Sequence, residues 1–119
     1  MKDKLLQASD NDLPRLLGEV LQAKHCYIET NNGPICIECG NNKRNSKSEY
    51  CPIPIDDWNV AMKWRDWAVE KTNADRFGEL LSDVLKAEYH CWRGTWIMGF
   101  AQPKHYEIAA ALCKIGEKK

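Results

Sequence analysis

The sequence predicts a single α+β domain, a small antiparallel β-hairpin packed against about four α-helices. Three observations predict it. Asn32-Gly33 lies between two β-forming runs, residues 26–30 and 34–39, the strongest short-range hairpin signal. Apolar residues recur at helical spacing in four other stretches. A chain of 119 residues is the size of one domain that can bury its own core.

The first helix, expected over 12–24, opens at Asn11-Asp12-Leu13-Pro14, a capping residue followed by Pro in the first turn. Leu13, Leu16, Leu17, Val20 and Leu21 form its apolar stripe, and Lys24-His25 suit the negative end of its dipole. Upstream, Leu5 and Leu6 fit a loose turn. In the hairpin, expected over 26–39, a two-residue turn at Asn32-Gly33 pairs Thr30 with Ile35, Ile28 with Ile37 and Cys26 with Cys39. One face then carries Cys26, Ile28, Thr30, Ile35, Ile37 and Cys39, and the other Tyr27, Glu29, Pro34, Cys36 and Glu38. The apolar face is expected to lie under the helices.

Residues 41–49 are almost wholly polar and read as an exposed loop. Pro52 and Pro54 keep the next stretch extended. Asp56-Asp57 cap a helix over 58–71 that is apolar on much of its circumference and so touches more than one neighbour. Asn73 caps a third helix, near 75–87, with Phe77, Leu80, Leu81, Val84 and Leu85 on one face. Residues 89–100 are aromatic and interrupted by Arg93-Gly94, which fits a second hairpin or an irregular packed segment. Pro103 opens the last helix, 103–115, which buries Ile108, Ala109, Leu112 and Ile115 and has Gly116 at its end.

Seventeen basic residues balance seventeen acidic ones, which argues against a protein that holds nucleic acid through phosphate contacts. The start, Met-Lys-Asp-Lys-Leu-Leu-Gln, has no apolar run fit for a signal peptide, and no window approaches the roughly 18 apolar residues of a membrane span. The expected location is the cytoplasm of a bacterial host. In that reducing compartment the six cysteines are thiols or metal ligands rather than disulfides.

Cys36-Ile37-Glu38-Cys39-Gly40, with Cys26 upstream and Cys51 downstream, poses the main chemical question. A structural zinc site wants four Cys or His ligands in a tetrahedron, and a Cys-x-x-Cys-Gly turn supplies two. Cys26 or His25 and Cys51 would complete it. Against this, residues three apart in a strand point to opposite faces, so Cys36 and Cys39 cannot share one ion while both stay in the ladder. The reading adopted packs the cysteines as small hydrophobes, with no cofactor. The alternative is a zinc-stabilised module with Cys36, Cys39, Cys51 and either Cys26 or His25 as ligands, contacting nucleic acid through Lys43, Arg44 and Lys47.

No catalytic constellation stands out. His90-Cys91 are neighbours in sequence, whereas a thiol–imidazole pair is assembled from distant segments. Asp56-Asp57 are explained as a cap, and His105 in the first turn of the last helix reads as solvated. No phosphate loop, nucleophile elbow or His-Glu-x-x-His occurs. The expectation is a protein that is not an enzyme. Five tryptophans point instead to a protein partner. Trp64 and Trp67 share a face with Ala61 and Ala68 and read as core, while Trp58, Met62 and Arg65 lie elsewhere on that helix and, with Trp92 and Trp96, are the candidate partner-binding residues.

Pro54-Ile55-Asp56-Asp57-Trp58-Asn59-Val60-Ala61-Met62 resembles the start of the middle helix in small phage and prophage proteins of the "ABA sandwich" type. Gln102-Pro103-Lys104-His105-Tyr106-Glu107-Ile108-Ala109-Ala110-Ala111-Leu112 is similar to their Pro-opened, Ala-rich last helix. The likeness covers about a third of the chain. It implies a small α+β accessory protein of phage or prophage origin, with no activity attached; the partner expected for it is a host or phage protein. Members of that group place further strands after the middle helix, where residues 76–86 here read as helix.

Overall fold

In a computed structural model, described over residues 2–44, 49–89 and 101–117, five α-helices accompany one two-stranded antiparallel sheet. In chain order these are α1 (Lys2–Gln7), α2 (Leu13–Leu21), β1 (Tyr27–Thr30), β2 (Gly33–Cys36), α3 (Trp58–Lys71), α4 (Ala74–Tyr89) and α5 (Pro103–Glu117). The α+β class holds. Residues 90–100, including Trp92 and Trp96, lie outside the described residues, and so does Lys47.

Helix α5 is the hub, touching each of the other four helices. Ala109, Ala110 and Ala111 are all fully buried, and their small side chains let neighbouring helices close in on several sides. Leu13, Leu16, Leu17 and Leu21 of α2 pack there with Phe77, Leu80, Leu81, Val84 and Leu85 of α4. The turn foreseen around Leu5 and Leu6 is the short helix α1, which adds a fully buried Leu5. Helix α3 buries Ala61 and Ala68, while Trp64 and Trp67 lie half-buried against the core, edge to face at 5.6 Å.

The helix starts follow local chemistry. Asp57 Oδ1 accepts the Asn59 N–H at 2.9 Å to open α3, and Asn73 Oδ1 accepts the Arg76 N–H at 2.7 Å to open α4. At α2 the expected Asp12 cap is not made: its backbone is helical (φ −93°, ψ −25°) rather than extended as a cap requires, and its carboxylate accepts from Ser9 Oγ at 3.2 Å. Helix α2 also ends at Leu21, earlier than expected. Gln22 turns left-handed (φ 55°, ψ 44°) and the Ala23 N–H returns to the Gly18 carbonyl at 3.0 Å, so Lys24 and His25 fall beyond the helix.

The hairpin forms, but in another register. Ile28 pairs with Ile35 and Thr30 with Gly33, not Ile28 with Ile37. A primed turn at Asn32-Gly33 needs a positive φ at both residues, and only Gly33 has one, at 97°. Asn31 and Asn32 keep negative φ and make an ordinary turn, with Gly33 following them in the left-handed region, so the reversal sits one residue earlier, at Asn31-Asn32. Moving the partner by two positions keeps the division into faces. The burial is the reverse of expectation, however. Cys36 is 1% exposed, while Ile28 and Ile37 are 51% and 60% exposed. Nor do helices cover the hairpin: among the described elements no strand residue comes within 8 Å of a helix residue, Cα to Cα. The molecule is accordingly long, 52 Å against 26 and 24 Å across. No described helix is long and apolar enough to cross a membrane.

Candidate metal centre

The inward face of the hairpin turns to sulfur. Strand β2 ends at Cys36, and the chain reverses over 37–40, with the Gly40 N–H donating to the Cys36 carbonyl at 2.8 Å and the Cys36 N–H to the Asn41 carbonyl at 3.0 Å. Gly40 takes φ 76°, a conformation that costs glycine nothing. Because the ladder stops at Cys36, the opposition of faces that should have separated Cys36 from Cys39 no longer applies. The turn brings Cys39 back to the same side, and the expectation that the sulfurs scatter is overturned.

Two more side chains arrive from elsewhere. His25 follows α2 and stacks on Tyr27, ring centroids 5.1 Å apart. Cys51 lies on the returning strand-like segment, bridged at Lys24–Tyr50, its N–H donating to the Ala23 carbonyl at 2.6 Å. Gly18 makes this approach feasible: a Cβ there would collide with the Cys51 carbonyl.

The ligand atoms of His25, Cys36, Cys39 and Cys51 all lie within 4.8 Å of one another. Cys36 and Cys51 Sγ are 3.7 Å apart, and Cys39 Sγ and His25 Nδ1 3.4 Å apart. A tetrahedral zinc with Zn–S bonds near 2.3 Å has ligand–ligand edges of about 3.8 Å. The Cys36–Cys51 and Cys39–His25 pairs stand near that edge, and no pair of the four exceeds it by more than about 1 Å, so the set can draw in around one four-coordinate ion. Such a site leaves no open position for substrate and is structural in kind.

The electrostatics agree with a cation. Burial raises the Cys36 thiol, but the N–H of Cys39, the His25 ring and the N–H groups of Cys26 and Glu38 outweigh it and hold it at about 6. Burial, then the adjacent Cys39 and Cys36 thiols, push Cys51 up. One thiolate is stabilised by backbone donors, and a second is opposed until a positive ion joins them.

Of the sequence-predicted ligands, Cys36, Cys39 and Cys51 converge. Cys26 does not: it is exposed on the outward face, and its neighbour His25 takes the fourth place. Alternation along the strand carries the signal, since residue 25 shares its side with Tyr27 and Cys36, and residue 26 with Ile28. Of the partner-binding candidates, Trp58 is 48% exposed and edge-on to Tyr106, Met62 is half-buried, and Arg65 pairs with Asp66 at 2.9 Å. They are not brought to the thiol cluster. Lys43 stands 5.7 Å over the Tyr27 ring, and Arg44 is exposed beside it.

Two buried polar residues on α5 went unforeseen. His105 is fully buried, not solvated, and its Nδ1 accepts the Gln102 N–H at 2.8 Å, closing the helix start. Glu107 is also fully buried, with neither carboxylate oxygen hydrogen-bonded among the described residues; burial, then Asp57 and Asp56, push it up to about 8. Comparison of the chain with protein families, with curated proteins and with solved structures finds no match.

Proposed function

We propose that this chain is a non-enzymatic binding module in which one zinc ion, held by His25, Cys36, Cys39 and Cys51, staples a projecting hairpin to a helical body. The observation that carries the reading is the convergence of those four ligand atoms within 4.8 Å in a hairpin with no apolar core of its own. A two-stranded hairpin is marginal by itself in water, and no described helix covers this one. Ligand geometry and the lack of helix cover among the described residues thus point the same way. The closed donor set supplies folding energy rather than catalysis. The work of the module is to hold another protein, and a phage or prophage setting is proposed on the two stretches, 54–62 and 102–112, that resemble that group.

Metal analysis of the purified full-length chain tests the reading. One zinc per chain is expected, and its removal by a chelator should collapse the amide signals of residues 25–44 while the helical circular dichroism persists. A chain that takes up no stoichiometric metal even after reconstitution under reducing conditions would refute it.

A further inference from the structure

The stapled hairpin turns apolar side chains outward, a use of surface that folding alone does not require. Ile28 and Ile37 are more than half exposed, Ile28 is paired with a half-buried Ile35, and Cys26 lies opposite Ile37 through the Ile37 N–H to Cys26 carbonyl bond of 3.0 Å. This face does not end at the base of the hairpin. Cys26 also lines a groove of about 400 Å³ between the hairpin base and α3, with Ile53, Val60 and Trp64 among its apolar lining. A track of exposed apolar surface therefore runs from the middle of the hairpin to α3.

Charge selects the occupant. Lys24 and Lys63 both line the groove and are exposed, and neither has a carboxylate partner among the described residues. Lys63 Nζ stands 5.7 Å over the Trp64 ring. One carboxylate, Glu38, also lines the groove, leaving an excess of positive charge beside exposed apolar surface. Contiguous apolar surface rimmed by charge is the anatomy of a protein-binding site.

We propose that this track docks an acidic peptide segment of a partner protein, seating its aliphatic or aromatic residues on Ile28, Ile37 and Trp64 and its carboxylates on Lys24 and Lys63. The proposal rests on the metal reading above, because Cys26 and Glu38 hold their places in the groove through the stapled hairpin. Loss of zinc removes one wall.

The test pans the zinc-loaded full chain against a phage-displayed library of random 12-residue peptides, then titrates the enriched peptides by fluorescence anisotropy. Enrichment of Asp/Glu-rich peptides with aliphatic or aromatic anchors is expected. Their affinity should fall tenfold or more in a Lys24→Glu/Lys63→Glu variant and in Ile37→Asp, with one zinc per chain retained. No enrichment, enrichment of basic peptides, or affinity unmoved by these substitutions would overturn the docking proposal. Zinc content measured on the same samples keeps the two readings apart. A zinc-loaded chain that binds no such peptide defeats the docking surface alone, and a zinc-free chain that binds them through these residues defeats the metal staple alone.

Discussion

Helices α2, α4 and α5 hide Leu17, Leu85 and Ala109 completely, whereas the hairpin leaves Ile28 and Ile37 more than half exposed and hides Cys36. The helical body is held by apolar burial, at about 25 cal/mol for each Å² removed from water. The hairpin places its isoleucines in solvent and turns three sulfurs and an imidazole toward one point. On the proposed metal reading, two regions of one short chain use different means of stabilisation, and they meet where Gly18 of α2 touches the backbone of Cys51. Perturbations that reach only one means should leave the other region standing.

The largest effect should come from Cys51→Ala. Structural zinc in small modules contributes about 10–16 kcal/mol of apparent binding energy at pH 7, and three ligands cannot close the site. Zinc affinity should fall by more than a thousandfold, and residues 25–44 should lose amide dispersion by NMR. Helices α3 to α5 should keep theirs. Simultaneous melting of the helices would show that the two regions are one cooperative unit and sink the comparison.

The reciprocal substitution is Leu85→Ala, which empties a fully buried site of α4 in the helical core. A loss of about 2–5 kcal/mol in the denaturant unfolding of the helices is expected. The absorption bands of a cobalt-substituted centre should be unchanged under native conditions. An altered cobalt spectrum would mean that core packing sets the ligand geometry.

Glu107 sharpens the account of the body. Its folded pKa of about 8 lies above the ordinary carboxylate value of 4.5, so the folded chain holds a proton that the unfolded chain releases. Stability should therefore fall as pH rises from about 4.5 to about 8 and level off above, an effect on the order of a few kcal/mol. Glu107→Gln should remove this slope. Wild type and variant, both zinc-free, are compared by urea unfolding across that window, and parallel pH profiles would exclude Glu107 as the source.

The body was the more legible half. Leucines at helical spacing marked α2 and α4, Asp57 and Asn73 marked two starts, and Pro103 a third, because each signal acts within one turn of its own helix. The hairpin was half legible. Face membership survived a wrong register because the error was an even number of residues, yet inside and outside were exchanged. Hydrophobicity argues that isoleucine goes in, and it loses when the inward side is organised by four metal-ligand atoms. The fourth ligand was left open between adjacent residues 25 and 26, where strand alternation decides for His25. Glu107 had no sequence signal, since its burial follows from how the helices pack.

A smaller effect is expected at the junction. A methyl group at Gly18 meets the Cys51 carbonyl, which is backbone and cannot rotate away. Gly18→Ala should cost about 1–3 kcal/mol as an overpacked contact and weaken zinc binding while α2 remains helical. Unchanged zinc affinity in this variant would show that the site tolerates displacement of Cys51 and is less rigid than its spacing implies.

The smallest effect separates two neighbours. Cys26→Ser changes an exposed thiol that takes no part in the cluster, so zinc affinity and stability should stay within about 0.5 kcal/mol of wild type. His25→Ser, one position away, should release zinc as readily as loss of a cysteine ligand and should remove the nitrogen donor from the cobalt spectrum. Strand alternation gives the contrast its force, because a thiol at 26 can reach the metal only if the hairpin face is reversed. Were Cys26→Ser to lose the metal and His25→Ser to keep it, Ile28 and Ile37 would be the buried side, and the outward apolar track would vanish with the four-ligand assignment.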